Sequence, residues 1–206
     1  MLTEYIKCIF LAQPLVGPDL QNFSWLLKNE HNRHYLIKHL QQPKFRKGKL
    51  HKLNGESFES LSTIVSVALI ECDRSNDFYS SYLLARLSEH YYIKEEGGNK
   101  YLVCSIRDHG LWKKPEFWKY VFAYKCEKLM ISNADALKKD DELISIVSDM
   151  IHMMCSLYME ATLIEAMIEF LGKASQLLAS DVDMLKKMGV KMLKNMMYAD
   201  NGEILF

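Results

Sequence analysis

The residues able to do chemistry are few and scattered along the chain. His31 and His34 stand three positions apart, as do His152 and Cys155, which puts each pair one helical turn apart as two candidate metal ligands. Zinc needs three or four ligands and no second pair stands at a matching spacing, so no metal centre is expected. His152 then reads as a core or boundary imidazole beside Met153 and Met154. Cys104 and His109 are close in the chain, with Cys126 on the helix that follows and His90 upstream. A cysteine nucleophile requires a base within hydrogen-bond reach and a lowered pKa, and spacing supplies neither. Asp140-Asp141-Glu142 gathers carboxylates at a helix start, where the positive end of the helix dipole accounts for them. Gly97-Gly98 lacks the Lys-Ser/Thr pair of a phosphate-cradling loop. These residues identify no reaction. The expectation is a protein that is not an enzyme, with no catalytic residue and no cofactor.

Charge offers more. The 206 residues carry 26 Lys+Arg and 26 Asp+Glu, a formal net charge of zero that argues against a dedicated nucleic-acid binder. The balance is local cancellation. Residues 1–53 hold nine Lys/Arg against three Asp/Glu, a surplus of +6, so the remainder carries −6. The surplus is concentrated in Lys44, Arg46, Lys47, Lys49 and Lys52, a candidate binding site for a protein partner or an anionic surface. Near an anionic membrane each such charge contributes about 1 kcal/mol. The plain alternative is a solvated loop, and Phe45 alone among these residues could stack on an RNA base. Methionine is the second concentration, with Met184, Met188, Met192 and Met196 recurring every four positions and Met150, Met153, Met154, Met159 and Met167 before them. The thioethers fit either an adaptable groove or a core stripe.

The elements that must position these groups read as helices. Hydrophobic residues make up 49% and charged residues 25%, which are globular values, and a chain of this length buries about 70% of its unfolded surface. Nine Gly and four Pro are few breakers. Five widely spaced cysteines without CxxC predict free thiols in a reducing cytosol. Neither a signal segment nor a membrane span is expected; the location is cytoplasmic, with room for peripheral membrane contact. Helices are predicted at Leu2–Phe10, from Asp19 to Leu27, over His34–Leu40, after an Asn54 N-cap to Leu69, and from Tyr79 to Ile93. Gln41–Lys52 reads as a basic loop and residues 95–99 as a turn. Tyr101–Ile106 fits strand or helix, and without an evident strand partner helix is preferred. Pro115 and Glu116 open a helix whose apolar face is Phe117, Trp118, Val121, Phe122, Cys126 and Leu129. Asp140–Tyr158, Ala161–Leu178 and a last helix capped by Asp181 complete the chain. The predicted architecture is all-α: one domain over residues 1–206, about nine helices, a basic loop at about 41–53 and a Met-rich part at about 140–197.

Three stretches carry a resemblance. They are Ala68-Leu69-Ile70-Glu71-Cys72 with Asn76-Asp77-Phe78 and Leu84–Tyr92; Tyr101-Leu102 leading to Leu111-Trp112-Lys113-Lys114-Pro115-Glu116-Phe117-Trp118; and Ile144–Leu157 before a closing Leu-rich helix. The chain resembles the helical region of the SET-binding factors, which are myotubularin-related pseudophosphatases, and the C-terminal part of the MAP-kinase-activating death-domain protein, whose tail Asn201–Phe206 also resembles. Those proteins are linked to vesicle traffic through DENN modules acting on Rab GTPases, and neither a DENN module nor a phosphatase loop is recognisable here. The resemblance implies a helical interaction region with a protein partner, a small GTPase or trafficking factor. Trp112, Phe117 and Trp118 are its aromatic anchors, either packing a helix start or forming an exposed hot spot.

Overall fold

The computed structural model describes Tyr5 and residues 17–41, 50–132 and 139–200. Its backbone falls into two compact units, Met1–Ile106 and Arg107–Phe206. Among the described residues there are eight α-helices, where about nine were expected, together with a small sheet that the all-α expectation did not contain. The helix expected over Leu2–Phe10 lies, apart from Tyr5, outside the described residues.

In the first unit, α1 (Gly17–Leu27) and α2 (Glu30–Leu40) precede α3 (Gly55–Ser75) and α4 (Phe78–Ser88). The long α3 is central because its stripe of Phe58, Leu61, Ile64, Val65, Ala68, Leu69 and Cys72 is buried throughout. Asn54 caps it as expected, its side chain accepting from the Ser57 N–H at 2.8 Å. Asn76 ends it in the left-handed conformation (φ 52°), and Asp77 immediately caps α4 by accepting from the Ser80 N–H at 3.0 Å. The helix expected through Ile93 stops at Ser88. Tyr91–Glu95 (β2) instead pairs antiparallel with Gly98–Tyr101 (β3) around a two-residue turn, and parallel with His51–Lys52 (β1), in the order β1-β2-β3. Tyr101–Ile106 is therefore not an α-helix: Tyr101 ends β3 opposite Tyr92, and Leu102–Ser105 is one 3₁₀ turn. Aromatic and β-branched residues at 91–93 suit a strand once a hairpin supplies a partner, and the Tyr92 and Tyr101 rings meet across it at 5.8 Å.

The second unit opens with a 3₁₀ turn, Gly110–Lys113, followed by α5 (Pro115–Ser132), α6 (Lys139–Ser156), α7 (Ala161–Ser175) and α8 (Ala179–Asp200). Pro115 occupies the first helical position, as its missing N–H predicts. Asp181 lies inside the first turn of α8 rather than at its cap, since Ala179 already begins the helix. The last three helices pack on one another through Val147, Met150, Ile151, Met154, Ile164, Ile168, Leu171 and Leu185. Two glycines permit their approach. A Cβ on Gly172 would come within 2.5 Å of Val182 Cγ2, and one on Gly189 within 3.3 Å of Ile151 Cγ2. Met150, Met153, Met154, Met159 and Met167 are buried in this core, whereas Met184 is half exposed, so the four-residue methionine stripe on α8 starts at the surface.

Candidate interaction surfaces

Lys44, Arg46, Lys47 and Lys49 lie outside the described residues, but both ends of their segment are defined. At one end α2 closes with Leu40, whose carbonyl accepts from the buried Tyr91 hydroxyl at 2.9 Å. At the other, β1 sets His51 beside the same Tyr91, with the His51 N–H donating to the His90 carbonyl at 2.7 Å and the Leu53 N–H to the Tyr92 carbonyl at 2.8 Å. The chain thus leaves and returns at one residue, Tyr91, whose phenol is pushed well above its ordinary pKa by burial and stays protonated as a donor. Lys52, expected in the loop, belongs to β1 with its side chain exposed, and Leu50 beside the strand is 49% exposed. Nothing in the local pattern of Tyr91-Tyr92-Ile93 marks Tyr91 for this position.

A second residue pair that local periodicity does not reveal holds this unit together. Arg33, buried on α2, donates through Nε to Asp77 at 2.7 Å and through Nη1 to the Leu27 and Lys28 carbonyls at 2.8 and 3.0 Å. One guanidinium therefore satisfies the C-terminal carbonyls of α1 and fastens the N-cap of α4. Burial alone would raise the Asp77 carboxyl, but the Ser80 N–H and the Arg33 guanidinium outweigh it, and its pKa falls below the ordinary value. Nearby, Glu71 on α3 accepts from Ser24 of α1 at 2.8 Å and from Arg74 at 2.6 Å.

Trp112, Phe117 and Trp118 are buried in the second unit. The Trp112 and Phe117 rings meet at 5.2 Å and the Phe117 and Trp118 rings at 4.9 Å, both edge to face, and Trp118 Nε1 donates to the Trp112 carbonyl at 2.8 Å. Such ring pairs add about 0.5–1.5 kcal/mol each beyond the area they bury. All three side chains are buried around the start of the Pro-initiated helix.

The remaining chemistry-bearing groups are placed as follows. His34 lies 3.7 Å from Glu30 and edge-on to Tyr79, and the caps of α2 engage the His31 N–H. His152 is exposed, contrary to its expected core or boundary position, because it falls on the outer side of α6 while Met153 and Met154 face inward. His90 Nδ1 donates to the Arg86 carbonyl at 3.0 Å, and His109 Nδ1 accepts from the Leu111 N–H at 3.2 Å. Cys104 and His109 fall in different units. Cys72 and Cys155 are buried thiols, pushed up to about 12 and about 11 by burial. Among the described residues no group of three or more His, Cys, Asp or Glu side chains could hold a metal ion, and no helix is long and apolar enough to cross a membrane.

The C-terminal part of α3, the buried Trp112–Phe117–Trp118 cluster and most of α6 fall in the three stretches that carry the resemblance to SET-binding factors. The family model described as SBF2, a myotubularin protein, matches residues 3–198. Myotubularin-related protein 5 of Caenorhabditis elegans is 29% identical over 94 residues, which cover 45% of this chain and 5% of that protein. No solved structure matches. With nearly its whole length matched, the chain belongs to the SBF2 family of myotubularin proteins.

Proposed function

We propose that this chain is a non-enzymatic interaction module that docks a protein partner in small-GTPase regulation of the Rab type or in membrane traffic, working in the cytoplasm and without a cofactor. The observation that carries the reading is the fixing of both ends of the basic segment at Tyr91. The ten intervening residues carry four Lys/Arg, with Lys52 following at the stem, and concentrated charge of one sign steers association with an oppositely charged surface. Membership of the SBF2 family and the resemblance to SET-binding factors support the choice of partner class. One helical domain spanning residues 1–206 is part of the same proposal; a single cooperative unfolding transition supports it and two separate transitions overturn it.

The test captures a panel of purified Rab GTPases, loaded with GDP or GTP, on the immobilised chain. Reproducible binding that falls when Lys44, Arg46, Lys47, Lys49 and Lys52 are all changed to Glu is the expected result. Absence of binding, or binding indifferent to that change, overturns the reading.

A second reading has its own observation: Leu50 is half exposed next to exposed Lys52, an apolar group beside cationic ones, which suits insertion at the headgroup level of an anionic membrane. Phosphoinositide-containing vesicles would then sediment with the chain, release it as salt shortens the screening length, and bind Leu50→Ser less well. Sedimentation that salt leaves unchanged removes this reading.

A further inference from the structure

The chain contains two Asn-Gly dipeptides, Asn54-Gly55 and Asn201-Gly202, and the first lies within the described residues. In such a pair the glycine's peptide nitrogen can attack the carboxamide carbon of the asparagine, because no Cβ on the glycine shields it. Asn54, Gly55 and Glu56 are all exposed, so water and hydroxide reach the reacting atoms. The Gly55 N–H belongs to the first turn of α3, where N–H groups have no partner within the helix. A Cβ on Gly55 would meet no atom within 4 Å, and its φ is not in the left-handed region, so neither packing nor backbone demands glycine here.

What restrains the reaction is the way Asn54 is held. Its backbone is extended (φ −81°, ψ 168°), its side-chain oxygen accepts from the Ser57 N–H at 2.8 Å, and its carbonyl accepts from the Phe58 N–H at 3.0 Å. The residue before it is fastened as well, since the Leu53 N–H donates to the Tyr92 carbonyl at 2.8 Å. Ring closure requires rotation about ψ of Asn54 that swings the Gly55 nitrogen round to the Cβ side. That rotation carries Ser57 and Phe58 away from both oxygens. The reactive geometry is therefore reached only when the first turn of α3 opens, and terminal turns open more readily than the body of a helix.

We propose that Asn54 is a self-modification site, an asparagine that deamidates through Gly55 and is gated by the start of α3. In the opened state the Gly55 nitrogen bonds to Cγ of Asn54 and the Cγ–Nδ2 bond breaks. The proton of the Gly55 N–H leaves with Nδ2 as ammonia, and a cyclic imide remains. Water then adds to one of its two carbonyls. Cleavage at Cγ leaves aspartate at position 54, and cleavage at the main-chain carbonyl leaves isoaspartate; nothing is oxidised or reduced. Aspartate caps a helix as well as asparagine does, and its charge suits the positive helix end, so that product keeps the fold. Isoaspartate runs the chain through the former side chain, which adds a methylene to the backbone and takes both oxygens out of register with Ser57 and Phe58. Either product places a new carboxylate two positions after Lys52, at the joint of β1 and α3. The device is a one-way clock that lowers the positive charge of this neighbourhood with age.

The test incubates the full chain at physiological temperature and mildly alkaline pH and follows position 54 by peptide mass spectrometry with electron-transfer fragmentation, which separates aspartate from isoaspartate. Both products are expected, at a rate that rises with pH. In the folded chain that rate is expected to be about tenfold below the rate in the urea-unfolded chain, the order of factor that an N-cap is worth. In urea the two Asn-Gly pairs are expected to convert alike. Urea below the unfolding midpoint is expected to raise the Asn54 rate and the exchange rate of the Ser57 amide in parallel. Gly55→Ala is expected to slow conversion about tenfold by shielding the nitrogen, with a thermal melt at or above wild type because alanine is the better helix former. Asn54→Asp is expected to melt with wild type, and the isoaspartyl fraction at a lower temperature. No product in the folded chain after about a hundred unfolded half-times, a span beyond what the strongest caps account for, overturns the proposal. So does a folded rate equal to the unfolded one, conversion untouched by Gly55→Ala, or an isoaspartyl fraction that melts with wild type.

Discussion

Arg33 and Asp77 are 4% and 8% exposed, and each completes the hydrogen bonding of the other's surroundings. Arg33→Ala strands a buried carboxylate together with two helix-end carbonyls, so urea unfolding is expected to show a loss of about 3–5 kcal/mol. The pair also sets an acid limit. The folded Asp77 pKa is below its unfolded value of about 3.9, so the stabilisation is complete above that value and fades as pH falls through the folded pKa. Asp77→Asn is expected to flatten the acid limb of the stability profile. Cysteine burial makes a second prediction. Cys72 and Cys155 are buried, which is the chief reason their thiols are raised to about 12 and about 11, whereas Cys104 and Cys126 are partly exposed. Iodoacetamide at mild alkaline pH is expected to modify Cys104 and Cys126 in the native protein and to reach Cys72 and Cys155 only after denaturant is added; mass spectrometry of the peptides reads the order.

Where elements meet, small groups decide. Gly172 lets α7 approach α8 at Val182, a short, stiff side chain that cannot swing aside. Gly172→Ala gains about 1 kcal/mol of helix propensity and is expected to lose about 1–3 kcal/mol to overpacking, a net destabilisation that Val182→Ala should relieve in a double-mutant cycle. The joint of α2, β1 and β2 depends on the Tyr91 hydroxyl. Tyr91→Phe leaves the buried Leu40 carbonyl without its donor, at a cost of about 1–3 kcal/mol, and is expected to speed hydrogen exchange at the His51 and Leu53 amides, whose acceptors belong to β2 and the residue before it. Amide exchange unchanged by that substitution would show that β1 is held without the tyrosine. The helices themselves were legible because a 3.6-residue period, Asn54 and Pro115 state their positions locally. The sheet was not, because Tyr91–Glu95 and Gly98–Tyr101 are each ambiguous alone and become strands only by pairing.

At the scale of the whole chain, zero net charge conceals a basic N-terminal quarter and an acidic remainder. If the basic segment makes the productive contact, partner or vesicle association should slow steeply between low and physiological ionic strength, and the five-Glu variant should lose that dependence, as stopped-flow association rates would show. A salt-independent rate would place the contact on an apolar surface instead. The matched stretch covers 5% of the length of Myotubularin-related protein 5.

By itself the amino-acid sequence determined the helical character, the cap at Asn54, the helix start at Pro115 and the family resemblance, because these rest on period, turn chemistry and short contiguous motifs. It also singled out the basic run and the three aromatic anchors. Tertiary structure alone decided that Tyr91 receives both ends of the basic run, that Arg33 reaches Asp77 across 44 positions, that His152 faces outward while its methionine neighbours face in, and that Lys119 settles over Phe170. The division has a physical cause. A cap or a helical stripe is written within a few neighbouring residues, whereas a buried donor's acceptor and a strand's partner are chosen by packing between segments far apart in the chain.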